Sequence, residues 1–247
     1  MTRRRWIADE IHGDVAALTG EHALHLSRVL RARVGQEFDI ADGDSVRLGK
    51  ITSVSDERVE FALGDEVASR VAAERVAVEL TLVLAIFKFD RMEWAVEKCT
   101  EIGVARIVPV IAQRTDTHLA TAAVKRHERW GRIARQAAEQ SRRAAAPEIL
   151  APVKLKELSH ALAGVIADAP MPRIVLAESE MDAGLRDVLH PSANAAVLAV
   201  GPEGGWADDE LGWFRDAGWT AASLGPTILR AETAAIVGTA IAIEILR

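Results

Sequence analysis

The feature that most constrains the fold is an alternation of apolar strands and amphipathic helices that begins near Arg75. It predicts strands over Val76–Phe87, Arg106–Ala112, Ile174–Ala177, Ala195–Val200 and Thr220–Leu224. It predicts helices over Asp90–Ile102, Ala122–Arg143, Leu155–Ala163, Asp182–Leu189, Asp208–Ala217 and Glu232–Leu246. Alternation of this kind is typical of a parallel sheet that helices cover on both faces.

Residues 1–70 show a different pattern, in which short alternating strands are joined by turns. Val46–Ile51 alternates apolar and polar residues, and the Asp-Gly pair at 42–43 is a hairpin signal. His22–Arg33 carries an apolar stripe that predicts one helix. We therefore predict a small β-rich domain over residues 1–70, followed by an α/β domain over residues 71–247.

Composition excludes several classes of protein. The chain has 247 residues, of which 49% are hydrophobic and 27% charged, which suits a folded domain with a large core. Its longest apolar region, Ala234–Leu246, is too short for a membrane span. Cys99 is the only cysteine, so no intrachain disulfide or multi-cysteine zinc cluster can form, and we expect a reducing, cytoplasmic location. The histidines are scattered, so we expect no metal, and Cys99 falls on an apolar helical face that predicts a buried thiol.

Two loops carry the strongest indications of function, because ligands of parallel sheets bind outside the carboxyl ends of the strands. The first loop is Gly201-Pro202-Glu203-Gly204-Gly205, whose composition predicts either a tight turn or a backbone that a ligand approaches closely. The following helix begins with three acidic residues, 208–210, which oppose an anion at its N-terminus. A neutral or cationic ligand is therefore favoured over a phosphate.

The second loop is Leu224–Ala234, in which a strand ends in Gly-Pro and an apolar helix begins. Arg230 and Glu232 lie between them, and they are either site residues or solvated residues that flank the helix. One charged loop and one glycine-rich loop at the ends of two strands favour a shared site.

Basic residues cluster on the long predicted helix, although the net charge of the chain is −6. The cluster comprises Lys125, Arg126, Arg129, Arg132, Arg135, Arg142 and Arg143. A second cluster in the first domain comprises Arg28, Arg31 and Arg33 together with Arg3, Arg4 and Arg5. Such clusters are often solvated faces, but in an acidic protein they are candidate surfaces for RNA.

These features together resemble the bacterial 16S rRNA (uracil-N3)-methyltransferases of the SPOUT, or α/β-knot, superfamily. The resemblance covers nearly the whole chain, and its motifs occur in order. They are His25-x-x-Arg28-Val29-Leu30-Arg31, Met92-Glu93, Lys98–Val104, Glu139-Gln140-Ser141-Arg142-Arg143, Gly201–Gly205 and Leu224–Ala234. The resemblance implies a PUA-like RNA-binding domain followed by a domain with a deep trefoil knot that binds S-adenosylmethionine.

The resemblance also implies a homodimer that methylates N3 of a uridine in the 16S rRNA of the 30S subunit. Its implied catalytic residues are Arg230, which would stabilise charge on the uracil, and Glu232, which would accept a proton or orient Arg230. The implied cofactor-binding residues are Leu176, Gly201, Pro202, Glu203, Gly204, Gly205, Leu224, Gly225, Pro226 and Leu229. The candidate RNA-binding residues are Arg28, Arg31, Arg129, Arg132 and Arg142.

Two alternatives remain open at the level of sequence. The chain could be a SPOUT methyltransferase acting on another RNA, or a non-catalytic RNA-binding factor in ribosome assembly. An intact Arg230 and an unbroken Gly201–Gly205 loop favour an enzyme. Thr227 stands where the family often has arginine, so one expected cation is missing from the second loop.

Overall fold

The computed structural model describes residues 5–43, 45–67, 78–163 and 171–247. The chain forms two compact units, of which the first comprises Met1–Glu74 and Ala138–Ala146, and the second comprises Arg75–Ala137 and Pro147–Arg247. The predicted domain boundary between residues 70 and 71 lies outside the described residues.

The first unit contains a six-stranded sheet. Its strands are β1 (Arg5–Ile7), β2 (Glu10–His12), β3 (Val15–Thr19), β4 (Glu37–Ala41), β5 (Val46–Val54) and β6 (Arg58–Glu66). They lie in the order β1-β4-β5-β6-β3-β2, and all neighbours are antiparallel except β1 and β4. The predicted hairpin turn joins β4 to β5, with Gly43 at a φ of +102° that favours glycine. Trp6, Leu18, Ile40 and Phe61 are buried in the core of this unit.

The single helix predicted over His22–Arg33 is wrong in its extent. The chain forms a short helix α1 (Gly20–Leu24) that continues as one π-helical segment, His25–Val29. The segment ends with the Leu30 N–H donating to the His25 carbonyl, five residues earlier. Arg31 then adopts a φ of +49°, which is incompatible with a continuing right-handed helix.

The second unit contains a seven-stranded sheet in which every pair of neighbouring strands is parallel, as predicted. Its strands are β7 (Glu79–Ala85), β8 (Arg106–Ile111), β9 (Glu148–Ile149), β10 (Val153–Lys154), β11 (Arg173–Leu176), β12 (Ala195–Val200) and β13 (Thr220–Ala222). The order is β10-β8-β7-β12-β11-β13, and β9 also pairs with β8. This order makes β11, β12 and β13 consecutive neighbours.

Helices cover both faces of this sheet. They are α2 (Phe89–Ile102), α3 (Thr117–Gln140), α4 (Leu158–Ala163), α5 (Leu185–Val188), α6 (Asp208–Asp216) and α7 (Ala231–Leu246), and a 3-10 turn over Leu155–Glu157 precedes α4. One face packs against α2 and α7, where the predicted burial of Cys99 is confirmed. The other face packs against an aromatic group formed by Trp206, Phe214 and Trp219.

The ends of two predicted helices are wrong, and local hydrogen bonds account for one of them. The helix predicted over Asp182–Leu189 starts only at Leu185, because Glu180 accepts hydrogen bonds from the backbone N–H groups of Asp182 and Ala183 and folds them into a turn. The helix predicted over Ala122–Arg143 instead spans Thr117–Gln140. Among the described residues, no helix has the length and apolar character needed to cross a bilayer.

Candidate active site

A cavity of about 440 Å³ lies within the second unit, where the loops after β11, β12 and β13 come together. The volume falls in the range of small-molecule sites, which is about 300–1,000 Å³. The three strands are neighbours in one parallel sheet, so their carboxyl ends meet at the same edge. The fold therefore brings together the two loops that the sequence singled out, and it adds a third.

Nine of the ten predicted cofactor-binding residues line this cavity. They are Leu176, Gly201, Pro202, Gly204, Gly205, Leu224, Gly225, Pro226 and Leu229. The tenth, Glu203, is not among the lining residues, and its side chain accepts a hydrogen bond from Arg91 on α2 instead. The loop thus presents its backbone to the cavity and its carboxylate to a helix.

Glycine is favoured at two of these positions for different reasons. Gly205 has a φ of +69°, a conformation that side chains rarely adopt. A Cβ atom at Gly201 would lie 3.2 Å from Nε1 of the buried Trp206, closer than ordinary packing allows. The glycines therefore give the loop its shape and allow Trp206 to pack directly beneath it.

Three charged side chains line the cavity, and the sequence pattern assigned none of them to the site. Glu178 follows β11, Asp208 begins α6, and Arg114 lies in the turn after β8. The Nη1 group of Arg114 donates a hydrogen bond of 2.6 Å to the carbonyl oxygen of Gly204. The signal that could have identified Arg114 is its place in a polar turn at the carboxyl end of a parallel strand.

Glu210 has a structural role that its place in an acidic first turn did not reveal. Its side chain is buried, and its Oε1 atom accepts a 2.7 Å hydrogen bond from the backbone N–H of Gln113. Its Oε2 atom accepts another of 2.9 Å from the backbone N–H of Ala207, just before α6. Glu210 therefore ties the turn after β8 to the start of α6, beside the cavity.

The two predicted catalytic residues lie at the start of α7, but neither is among the residues that line the cavity. Arg230 is exposed and immediately precedes the helix. Glu232 is only 4% exposed, and its Oε1 atom lies 3.7 Å from Nη1 of Arg91. Arg91 also contacts Glu203 at 3.1 Å, so one guanidinium lies close to both carboxylates.

Several of the candidate RNA-binding arginines are already engaged in ion pairs. Arg28 donates two hydrogen bonds from Nε and Nη2 to Asp56, an ion pair that raises the pKa of its guanidinium. Arg129 pairs with Glu93 through bonds of 2.7 and 2.8 Å, which raise its pKa as well. An RNA phosphate would have to compete with these carboxylates.

The other three candidates are exposed, as Arg28 and Arg129 are. Arg31 and Arg132 lie on the surface of the first and second units, respectively. Arg142 has a φ of +62°, and its carbonyl oxygen accepts a hydrogen bond from Nη1 of Arg5. Burial lowers the pKa of the Arg5 guanidinium in this contact. Within the described ranges, no group of three or more His, Cys, Asp and Glu side chains is arranged to hold a metal ion.

Comparison with known proteins is consistent with this architecture. Residues 74–243 match the model of an RNA methyltransferase domain, and residues 18–63 match that of an RNA methyltransferase PUA domain. The chain is 33% identical over 227 residues to a ribosomal RNA small subunit methyltransferase E of Mycobacterium bovis, covering 91% of this chain and 84% of the relative. A protein of the same name from Synechocystis is 29% identical, over 94% of this chain and 74% of the relative.

Solved structures are similar over almost the full length. A crystal structure of ribosomal RNA small subunit methyltransferase E from Neisseria gonorrhoeae bound to S-adenosyl methionine has a TM-score of 0.80 and 30% identity, and covers 97% of this chain and 96% of that chain. A putative methyltransferase from Legionella pneumophila, in complex with the same cofactor, has a TM-score of 0.82 and 27% identity, over 98% and 97% of the two chains.

This protein is therefore of the class that has an RNA methyltransferase domain preceded by a PUA-like domain. The parallel α/β unit, its cavity and the two matching family models all indicate that class. The chain belongs to the ribosomal RNA small subunit methyltransferase E family. The predicted family and the predicted fold class are thereby confirmed.

Proposed function

We propose that this protein transfers the methyl group of S-adenosylmethionine to N3 of a uridine in 16S rRNA. The observation that carries the proposal is the cavity between the loops after β11, β12 and β13. Two proteins with cofactor-bound solved structures, from Neisseria gonorrhoeae and Legionella pneumophila, align with 97% and 98% of this chain. The names of its relatives support small-subunit rRNA as the substrate.

The residues of the cavity fit this cofactor. Leu176, Leu224 and Leu229 supply apolar surface that suits a purine ring, and the glycines expose backbone groups that can bind its polar edge. Glu178 and Asp208 give the cavity two carboxylates, which suit a cationic ligand. When bound, S-adenosylmethionine supplies a methyl group on a sulfonium, which is an electrophile.

The chain must make N3 of uracil nucleophilic, because N3 is a weak acid and reacts poorly while it is protonated. We infer that Arg230 stabilises the negative charge on the deprotonated uracil, since a guanidinium can donate to two acceptors at once. Arg230 is exposed at the start of α7, so a bound nucleotide could reach it. Positioning of N3 in line with the methyl group supplies the rest of the rate enhancement.

For Glu232, we infer that it positions Arg230 indirectly, by holding the start of α7 through Arg91, rather than accepting the proton. Its side chain is buried and lies next to Arg91, which supports a fixed carboxylate at the start of α7. A base must come within hydrogen-bonding distance of the proton that it removes, and burial restricts such access. Solvent would then take the N3 proton.

We also propose a cytoplasmic homodimer, with the PUA-like unit and the basic face of α3 contributing to RNA binding. The homodimer is what the resemblance to this family implies. Light scattering should give twice the chain mass of 26.7 kDa. A monomeric mass at micromolar concentration would refute the dimer and leave the reaction untouched.

The test of the proposed function is mass mapping of methylated uridine in rRNA. Deletion of the gene should remove one N3-methyluridine from 16S rRNA, and the purified protein with S-adenosylmethionine should restore it on 30S subunits. An unchanged rRNA together with the disappearance of a methyl group from another RNA would favour a different substrate. Binding to 30S subunits without methyl transfer would favour a non-catalytic assembly factor.

A further inference from the structure

Arg114 is the one lysine or arginine among the described residues that line the cavity. The two acidic residues of the lining are Glu178 and Asp208, so the cavity presents one positive and two negative side chains. Glu178, Asp208 and Arg114 are all exposed, so a ligand in the cavity can reach them. The charges of the cavity therefore complement a ligand that carries charges of both signs.

Arg114 contacts the loop after β12 without a ligand in the cavity. Its Nη1 group donates a 2.6 Å hydrogen bond to the carbonyl oxygen of Gly204. The preceding residue, Gln113, is anchored to buried Glu210, and the following residue, Thr115, donates from Oγ1 to the carbonyl oxygen of Ile86 at 3.1 Å. The backbone on both sides of Arg114 is therefore held in place, and this reduces the freedom that has to be lost when its side chain binds a ligand.

The guanidinium of Arg114 keeps most of its hydrogen-bonding capacity. It carries five N–H donors, of which the contact with Gly204 uses one. No carboxylate lies within ion-pair distance of Arg114 in the part of the chain that the structure describes. The remaining donors are thus available to an anionic group in the cavity, and a planar carboxylate matches them best.

We propose that Arg114 binds the α-carboxylate of S-adenosylmethionine and thereby positions the methionine end of the cofactor. The inference rests on the proposed function, because it takes S-adenosylmethionine as the ligand of the cavity. That molecule carries two positive groups, the sulfonium and the ammonium, and one negative group, the carboxylate. Its charges complement the two carboxylates and the single guanidinium of the lining.

The test compares two ligands that differ only in this carboxylate, namely S-adenosylmethionine and its decarboxylated form. Calorimetry without RNA measures their affinities for the wild type, Arg114→Gln and Arg114→Lys. Arg114→Gln should weaken binding of S-adenosylmethionine about tenfold, as expected for removal of a hydrogen bond between charged groups, and change that of the decarboxylated form less than about twofold. Arg114→Lys should give an intermediate value, because it keeps the charge without the planar fork.

Arg215→Gln is the matched control, since Arg215 is an exposed arginine on α6 that does not line the cavity. It should leave both affinities unchanged. Equal weakening of both ligands by Arg114→Gln would overturn the proposal, because Arg114 would then act only by holding the Gly204 loop. Unchanged affinity for both ligands would also overturn it, and Arg114 would then be a candidate contact for RNA. A wild type that binds neither ligand would refute the proposed function instead.

Discussion

Nη1 of Arg91 lies 3.1 Å from Oε1 of Glu203, so α2 is linked directly to the glycine-rich loop that follows β12. The same nitrogen lies 3.7 Å from Oε1 of Glu232 at the start of α7. The Oε2 atom of Glu232 is buried and has no hydrogen-bond partner among the described residues. Arg91 therefore supplies the nearby positive charge for a buried carboxylate, between two segments of the candidate active site.

Removal of Arg91 should destabilise the protein more than removal of an exposed arginine. Arg91→Met should lower the free energy of unfolding by about 2 kcal/mol, because Glu232 would remain buried without a counter-charge. Adding Glu232→Gln should recover part of that stability. Urea denaturation of the two single variants and the double variant measures the interaction free energy between Arg91 and Glu232. Strictly additive changes in the free energy of unfolding would contradict the predicted interaction. Arg129→Met, which removes an exposed pair with Glu93, is the control and should have little effect.

The packing of α7 against the sheet should make Gly238 intolerant of a methyl group. A Cβ atom there would lie 3.1 Å from Leu176 Cδ1 and 3.2 Å from Leu198 Cδ2, whereas one at Gly131 on α3 would meet nothing within 4 Å. Both Gly→Ala changes raise helix propensity by about 0.5–1 kcal/mol. Gly131→Ala should therefore stabilise the protein by about that amount, whereas overpacking should cancel the gain in Gly238→Ala. Thermal denaturation compares the stabilities of the two variants. Equal stabilisation would contradict the prediction, because α7 could then move away from Leu176 and Leu198 at no cost.

Cys99 should be inert to thiol reagents in the folded protein. Burial raises the pKa of its thiol to about 12, although the Thr239 hydroxyl donates a hydrogen bond to its sulfur. The thiolate is the reactive form, so at about pH 8 both protonation and burial protect Cys99. A disulfide reagent should therefore titrate no thiol in buffer and one in urea. Fast reaction of the native protein would mean that α2 and α7 separate readily.

The sequence identified the parts of the site that depend on local patterns. The bounds of β12 were predicted to the residue, because a short continuous apolar run between Asn194 and Gly201 is typical of a strand buried on both faces of a sheet. Arg91 and Arg114 were not assigned to the site, since their partners Glu203 and Gly204 are 112 and 90 residues away along the chain. Contacts over such separations depend on strand order, which periodicity does not reveal.

The extent of the helix in the first unit was also beyond the sequence pattern. An apolar stripe indicates a helix at His22–Arg33, but it does not distinguish the α-helical spacing from the π-helical segment His25–Val29. The stop at Arg31 depends on one left-handed residue that is not glycine. Such a conformation is uncommon for arginine, so the residue type at this position does not predict the end of the helix.

Charge reversal on α3 should weaken RNA binding and reduce its dependence on salt. Each phosphate that the protein no longer neutralises lowers the slope of log K against log salt by about 0.9 for duplex and about 0.7 for single-stranded nucleic acid. The double variant Arg129→Glu, Arg132→Glu should therefore bind 16S rRNA fragments more weakly, with a flatter slope and unchanged cofactor affinity. Arg186→Glu and Arg215→Glu together provide a control of equal charge. An unchanged slope of log K against log salt in the α3 variant would mean that Arg129 and Arg132 are solvent-exposed residues that do not contact RNA.

The last prediction separates catalysis from binding at Arg230. If Arg230 stabilises charge that develops during methyl transfer, its removal should lower the rate of the bound complex more than it weakens either ligand. Single-turnover transfer to 30S subunits should slow by about 100-fold in Arg230→Ala, which is typical for removal of one preorganised donor. Arg230→Lys should recover little of the rate, because lysine lacks the planar fork.

Raising the pH provides the diagnostic readout for this residue. Solvent supplies more deprotonated uracil as the pH rises, so the rate of Arg230→Ala should increase with pH more steeply than that of the wild type. Arg215→Ala, which changes an exposed arginine on α6, should follow the wild-type profile. A full rate in Arg230→Ala would leave Arg230 as a solvated residue flanking α7. A defect that disappears at saturating cofactor would instead make it a cofactor-binding residue, and a defect with no pH dependence would place its action after deprotonation of the base.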